Sequence, residues 1–462
     1  MWRPSQLCAA ALAFFTSIAS TPIQAQPQTV NDEKPISLTS LVRFTTPNCA
    51  TYSYGADVVS RSGTLLPSKP KNVYCLPHDE GSSDLASGPR AEIRSLLSEM
   101  PISGASFALW VIDDGSDNSF SSAVCNASYT ADSQLRFIYN SRAPTSVSSE
   151  KTIDRIENCL QTKEHQPRIL RYPLGLRNGV RSMHNKIMVV DRADGSTRLA
   201  LSTGHYLFGT TIHFDSWVFI EGESSDAFFR KQRCAIETLS NNQLSLGPSY
   251  KQYFECLKLQ KISRHEHLSP PEYSFFQLPY ERKEFDNFFD HLVGESDEID
   301  IAMSLFTARR FYAMFIDVAR KGVRIRLILD DDHYWASQGP DWCPTCYVNH
   351  SKTRIWTQEL LSLQTVQARF LETANQQCGG GNFLHKKDVV FKKNGIPIAV
   401  LTGSLNFTPG GISQNLESVY FITNMELRRA FSSEFDRLFL LGTSIDQIPS
   451  GRNPRPELPA GC

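Results

Sequence analysis

At 462 residues, 41% hydrophobic and 21% charged, the chain reads as a folded globular protein longer than one core usually supports, so two domains are expected. Its formal net charge of −1 excludes bulk attraction to nucleic acid or acidic membranes; such a contact would need a local basic patch.

At the N-terminus, Arg3 precedes an apolar run from Leu7 to Ala19, and the small residue Ala25 follows at a site suited to cleavage. The run is too short to span a bilayer, and no later stretch approaches ~18 apolar residues. Residues 1–25 are therefore expected to be a cleavable signal peptide, and the mature chain to be secreted or periplasmic. Residues 26–45, polar and rich in Pro and Thr, read as a loosely ordered leader. Of the 11 cysteines, Cys8 falls in the signal. The even number left (Cys49, Cys75, Cys125, Cys159, Cys234, Cys256, Cys343, Cys346, Cys378 and Cys462) suggests structural disulfides whose connectivity the sequence leaves open. Cys343-Pro344-Thr345-Cys346 has redox-motif spacing, but it lies among Gly339 and Pro340 in loop-like sequence, so a structural role is expected there too.

A first set of strand-like runs follows at Ser106–Ile112, Leu135–Tyr139, Lys186–Asp191, Leu199–Ser202 and Trp217–Ile220, each short, apolar and bounded by Gly, Asp or Asn. Residues 261–275, with His265, His267, Pro270 and Pro271, break the pattern and mark a linker between a first domain (46–260) and a second (276–462). The second domain opens with a strand at Glu298–Met303, a helix from Ala308 to Lys321 with Phe311, Met314, Phe315, Val318 and Ala319 on one face, and a strand at Val323–Leu329. Strand, helix, strand implies a mixed, mostly parallel sheet flanked by helices.

The chemistry-bearing residues recur in one order in both halves. His184-Asn185-Lys186, with Asp191 five residues on, fits His-x-Lys-x4-Asp; His385-Lys386-Lys387 repeats the His-x-Lys. Nineteen and twenty-one residues after His184 stand Thr203 and His205; the same intervals after His385 give Ser404 and Asn406. Downstream, Asp215 and Glu417 each open an apolar strand, offset by one residue between the halves. A shared order of His, Lys, hydroxyl, polar donor and acid is a repeat, far more specific than one motif. On a strand, His and Lys two apart face the same side, so each half offers both to one pocket. Two lysines supply positive charge for an anionic phosphodiester without a metal, two histidines can divide nucleophile and acid work near neutral pH, and a carboxylate can orient a histidine. Lone histidines such as His213 and His291, and the run Asp330–Asp332, read as structural. Arg171, Arg177 and Arg181 form either a phosphate-steering patch or a solvated loop. Trp335, Trp342, Tyr334 and Tyr347 either line a substrate rim or pack around a disulfide.

This arrangement resembles the phospholipase D superfamily across about residues 105–440, most strongly over 384–422. The resemblance implies an α/β fold of two pseudo-twofold-related domains sharing one site, no metal and no cofactor. It implies His184 and His385 as nucleophile and acid, Lys186, Lys387, Thr203, His205, Ser404 and Asn406 around the phosphate oxygens, and Asp191, Asp215 and Glu417 as supporting acids. Three departures stand out. Lys392 replaces the second motif's Asp, Ser202 replaces a Gly, and Thr203 and His205 replace Ser and Asn. The expected function is a secreted monomeric phosphodiesterase acting on phospholipid with transient membrane-surface contact. A nuclease of the same superfamily and a non-catalytic phosphate-binding protein are the alternatives.

Overall fold

The computed structural model describes residues 38–45, 47–49, 75–77, 88–112, 114, 118–140, 146–172, 182–206, 213–240, 246–262, 271–330, 351–371 and 384–444. The expected signal peptide, Cys343, Cys346, Cys378, Arg177, Arg181 and the aromatic segment from Tyr334 to Tyr347 lie outside the described residues.

In chain order the first half contributes strands β1 (Thr39–Phe44), β2 (Pro47–Cys49), β3 (Cys75–Pro77), β4 (Ile102–Leu109), β5 (Tyr129–Asn140), β6 (Arg168–Tyr172), β7 (Ser182–Met183), β8 (Lys186–Arg192), β9 (Ser196–Ser202) and β10 (Ser216–Glu223). The second contributes β11 (Tyr273–Leu278), β12 (Glu298–Met303), β13 (Arg324–Asp330), β14 (Val366–Leu371), β15 (Lys387–Lys393), β16 (Ile396–Gly403), β17 (Asn415–Ile422) and β18 (Thr443–Ser444). One sheet runs β1-β10-β9-β8-β4-β5-β6 and the other β11-β17-β16-β15-β12-β13-β14, with β18 added at the far edge and β7 against β17. The two orders are the same order repeated, which is the duplication seen in the motifs. Helices flank both sheets, among them Arg309–Arg320 between β12 and β13.

The parallel expectation holds for only part of each sheet. β4·β5, β5·β6, β12·β13 and β13·β14 are parallel, while the β8–β10 and β15–β17 ladders are antiparallel. The reason is local: β8–β9 and β15–β16 are tight hairpins, too short for a crossover. Asn394 (φ 52°) and Gly395 (φ 75°) both take the left-handed backbone that an Asn-Gly hairpin turn requires. The leader expectation is also corrected at its end, because Thr39–Phe44 pairs antiparallel with β10 as the edge strand of the first sheet.

Strand alternation sorts the buried apolar side chains of the described residues into four clusters. Met188 and Val190 of β8 face one core with Phe107, Phe137 and Trp217, while Ile187 and Val189 face another. The second half has its own phenylalanine-rich core around Phe285, Phe289, Phe311, Phe407 and Phe421. The core of Ile187 and Val189 also contains Val390, Val400 and Tyr420, so the two sheets pack face to face through it. Strands buried on both faces must be apolar almost throughout, which is why the sequence showed continuous runs. Among the described residues, disulfides Cys125–Cys159 and Cys234–Cys256 each tie two helices of the first half.

Candidate active site

Both His-x-Lys segments enter at the seam between the sheets. β7 pairs with the start of β17, and the His184 amide donates to Leu416 O (2.8 Å). In mirror fashion Leu384 bridges Phe214, and the His385 amide donates to Phe214 O (3.1 Å). Each histidine is thereby set beside the other half's acid. His184 Nδ1 lies 2.8 Å from Glu417 Oε2, and His385 Nδ1 lies 3.0 Å from Asp215 Oδ1. The carboxylate at Nδ1 fixes the orientation of each ring, which makes Nε2 the candidate reacting nitrogen. Glu417 also accepts from Ser404 Oγ, and Asp215 from Thr203 Oγ1 (3.0 Å). Those hydroxyls accept in turn from the Ser418 and Ser216 amides (2.9 and 2.8 Å), so the repeat extends to individual hydrogen bonds.

The lysines follow their histidines on the same face. Lys186 Nζ is 3.0 Å from both His184 Nε2 and His184 O; Lys387 Nζ donates to His385 O (2.6 Å) and Thr203 O (3.0 Å). His205 lies between the two histidines, with ring centroids 5.7 Å from His184 and 4.8 Å from His385. Asn406, its counterpart, is buried. The two glycine requirements differ. At Gly403 (φ +120°) a Cβ would meet Ser418 O at 2.3 Å, whereas in the first half the close approach falls at Gly204, whose Cβ would meet Asp215 Oδ2 at 2.3 Å. Ser202 is therefore tolerated where the resemblance led us to expect Gly.

Asp191 does not join the site. It lies five residues along β8 from Lys186, about 16 Å at strand rise, and is held by Arg233 (2.6 Å) and Thr197 (2.6 Å). The register explains the missing second Asp. Gly104 of β4 faces Asp191, and Glu298 of β12 faces Lys392. The carboxylate has moved to the neighbouring strand, where Glu298 (3.2 Å) and Asp300 (2.6 Å) pair with Lys392. Both arrangements are ion pairs at the far ends of the strands. Asp191→Asn and Lys392→Ala are thus expected to leave kcat/KM within about twofold while lowering the unfolding midpoint. Asp191, with a partly exposed side chain, should contribute no more than ~1 kcal/mol. A large loss of turnover in a folded Asp191→Asn protein would contradict this placement.

Two residues in the site carried no functional signal in the sequence. Trp110, one residue past β4, packs its ring against His205 (4.5 Å) and His184 (5.8 Å). Its counterpart is Ser304: the Trp110 amide donates to Asn185 O and the Ser304 amide to Lys386 O. His213, read as structural, stands 5.7 Å from the His385 ring and 4.0 Å from Asp215 Oδ2. With Asp215 and His385 it offers three ligand atoms within 4.8 Å of one another. Asp215 is already committed there to His385 and Thr203, and Lys387 lies close enough to act on all three groups electrostatically.

Burial dominates the electrostatics. It pushes His184 down to about 4, with Glu417 opposing the shift and Lys186 adding to it. Burial and the neighbouring lysines hold His385 and His205 well below the ordinary imidazole value, and burial with Asp215 opposing brings Lys387 to about 8. The pocket concentrates cationic groups around two carboxylates, so a bound phosphate would supply the missing countercharge and favour protonation of a histidine. The protein groups by themselves respond in the opposite sense. His184 binds its proton near pH 6.5 when unfolded and near 4 when folded, so its contribution to stability is complete above pH 6.5 and falls through that window as pH drops. The unfolding midpoint should therefore decrease from pH 7 to pH 5, and less steeply in His184→Asn. Equal slopes for the two proteins would contradict a neutral buried His184.

Comparisons with known proteins agree with this geometry. The family described as "cardiolipin synthase, PLD-like domain" matches residues 291–439, which include His385, Lys387, Ser404, Asn406 and Glu417. Residues 291–439 thus match a phospholipase D-like domain. The match lies in the second half, and the first half repeats its sheet order and its pairing of a histidine with an acid. Mitochondrial cardiolipin hydrolase of Xenopus laevis is 23% identical over 172 residues, covering 37% of this chain and 69% of that protein. Phosphatidylserine synthase of Haemophilus influenzae is 11% identical with a TM-score of 0.51, covering 77% of this chain and 85% of that one, which shows the fold. NucT from Helicobacter pylori aligns over 98% of its own length and 37% of this chain, at 18% identity and a TM-score of 0.30. The superfamily is one of phosphodiesterases.

Proposed function

We propose that the chain is an exported phosphodiesterase that hydrolyses phospholipids, or exchanges their head groups, through a phosphohistidine. The observation that carries this reading is the pair of buried histidines, each oriented by the other half's carboxylate, beside two buried lysines. Export is supported by the N-terminal apolar run and by two disulfides among the described residues. A lipid substrate is supported by the matched family and relative, both of whose names refer to cardiolipin.

In the reaction, His184 Nε2 attacks phosphorus, an N–P bond forms, and the bond to the leaving oxygen breaks as His385 Nε2 gives that oxygen a proton. Water or an alcohol then loses its proton to His385 and attacks phosphorus, which frees His184. Lys186, Lys387, Thr203, Ser404, His205 and Asn406 stabilise charge on the remaining phosphoryl oxygens. The assignment of His184 as nucleophile and His385 as acid is supported by the asymmetry at the site, where Trp110 lies 5.8 Å from the His184 ring and its counterpart in the second half is the small Ser304.

The testing assay presents vesicles of cardiolipin, phosphatidylglycerol, phosphatidylethanolamine and phosphatidylcholine, with single-stranded DNA in parallel, each with and without excess EDTA. Phosphatidate release from lipid, unchanged by EDTA, is the expected result, since lysines supply the charge. Turnover of DNA alone would overturn the lipid reading. Loss on chelation, restored by a divalent ion, would overturn the metal-free mechanism.

A further inference from the structure

Between the catalytic His385 and Lys387 stands a residue that the mechanism does not use. Lys386, one residue before β15, is 1% exposed, and its side chain is taken up by Ser216, the Asp215 carbonyl and Glu434 instead of by the two histidines. Its Nζ donates to Ser216 Oγ (2.8 Å) and Asp215 O (3.2 Å). It also lies 3.4 Å from Glu434, 3.7 Å from Asp388 and 4.4 Å from the Phe44 ring centroid. Ser216 Oγ passes the contact on to Asp388 Oδ2 (2.6 Å), whose other oxygen accepts from Thr402 (2.7 Å). On the opposite side of the same backbone, Thr45 Oγ1 accepts from the Asp215 amide (2.9 Å) and donates to His213 O (2.6 Å), and the Thr45 amide donates to Asp215 O (3.1 Å). Asp215, the partner of His385, is thus clamped from β15 and from the N-terminal edge strand. At the corresponding position of the first half, Asn185 makes a neutral contact, to Gln277 (3.0 Å).

We propose that Lys386 is a positioning residue which, with Ser216 and Thr45, fixes the Asp215 main chain so that Asp215 holds His385 aligned for proton delivery to the leaving oxygen. This rests on the reading of His385 as the general acid. A buried lysine among carboxylates is costly to desolvate and is not needed for stability as such, since well-packed apolar residues often replace buried ion pairs at little cost. Its geometric connection to the acid is what distinguishes the second half from the first.

The test exploits leaving-group chemistry. A nitrophenolate departs without a proton, whereas an alkanol needs one, so a defect in acid catalysis appears only with the alkanol. Single-turnover release is compared for phosphatidyl-nitrophenol and phosphatidylcholine in Lys386→Met, Ser216→Ala and Thr45→Val, with His385→Ala as reference. Expected is roughly 10- to 100-fold slower choline release, part of the 10²–10⁴ a general acid supplies, with nitrophenolate release within about threefold of the parent. Equal slowing of both substrates in these variants, while His385→Ala remains selective, would make Lys386 merely structural and overturn the proposal. Normal choline release would do the same. If His385→Ala slows both substrates alike, the acid assignment fails instead. Should Lys386→Met not fold, Ser216→Ala and Thr45→Val decide, because each removes only a hydroxyl contact.

Discussion

Alanine at His184 or at His385 is expected to lower kcat by roughly 10⁴-fold or more, and the double variant to lose little beyond either single change. Nucleophile and acid act on one bond in one step, so removing either leaves the other without a task. Both variants should fold, since Glu417 keeps Ser404 and Asn415 as partners and Asp215 keeps Thr203. Turnover is to be measured on vesicles, with circular dichroism and the unfolding midpoint as controls. A His385→Ala protein at near-parental rate would reduce the second half to a scaffold.

The second large effect is partition of a covalent intermediate. With ethanol or glycerol present, a phosphatidyl substrate should yield the new phosphatidyl ester together with phosphatidate, because the acceptor enters where the leaving group departed. A denaturing quench at mildly alkaline pH should trap a phosphoryl adduct on His184, lost on acidification and absent from His184→Asn. Two displacements at a chiral phosphorus give net retention. Hydrolysis without alcohol product or adduct, and with inversion, would show direct attack by water and leave the histidines other roles.

Much of this was legible in the chain because the duplication writes it twice. The nineteen- and twenty-one-residue intervals single out Thr203, His205, Ser404 and Asn406, of which Thr203 and Ser404 bond to the histidines' acids and His205 packs near both rings. The offset pair Asp215 and Glu417 was legible for the same reason. The crossing of acids between halves was not, since contact within a half and contact between halves leave the same sequence. Asp191 does not serve the histidines, because it lies near the far end of β8 and pairs with Arg233 instead. The antiparallel ladders were signalled by Asn394-Gly395, a turn signature eclipsed by the βαβ pattern upstream. Thr39–Phe44 carries little signal because this edge strand is short, half-buried and mixed in polarity. Trp110 and Lys386 gave no signal, as each depends on what another strand brings opposite it.

The exchange of carboxylates across the seam means that neither half owns a working histidine. Glu417 serves a ring 233 positions earlier in the chain, and Asp215 one 170 positions later. Separating the sheets would disconnect both pairs at once, so the protein should have no half-active form. Two fragments divided near residue 265 should be inert apart and active only when they reassociate, which makes turnover itself a reporter of the seam between them.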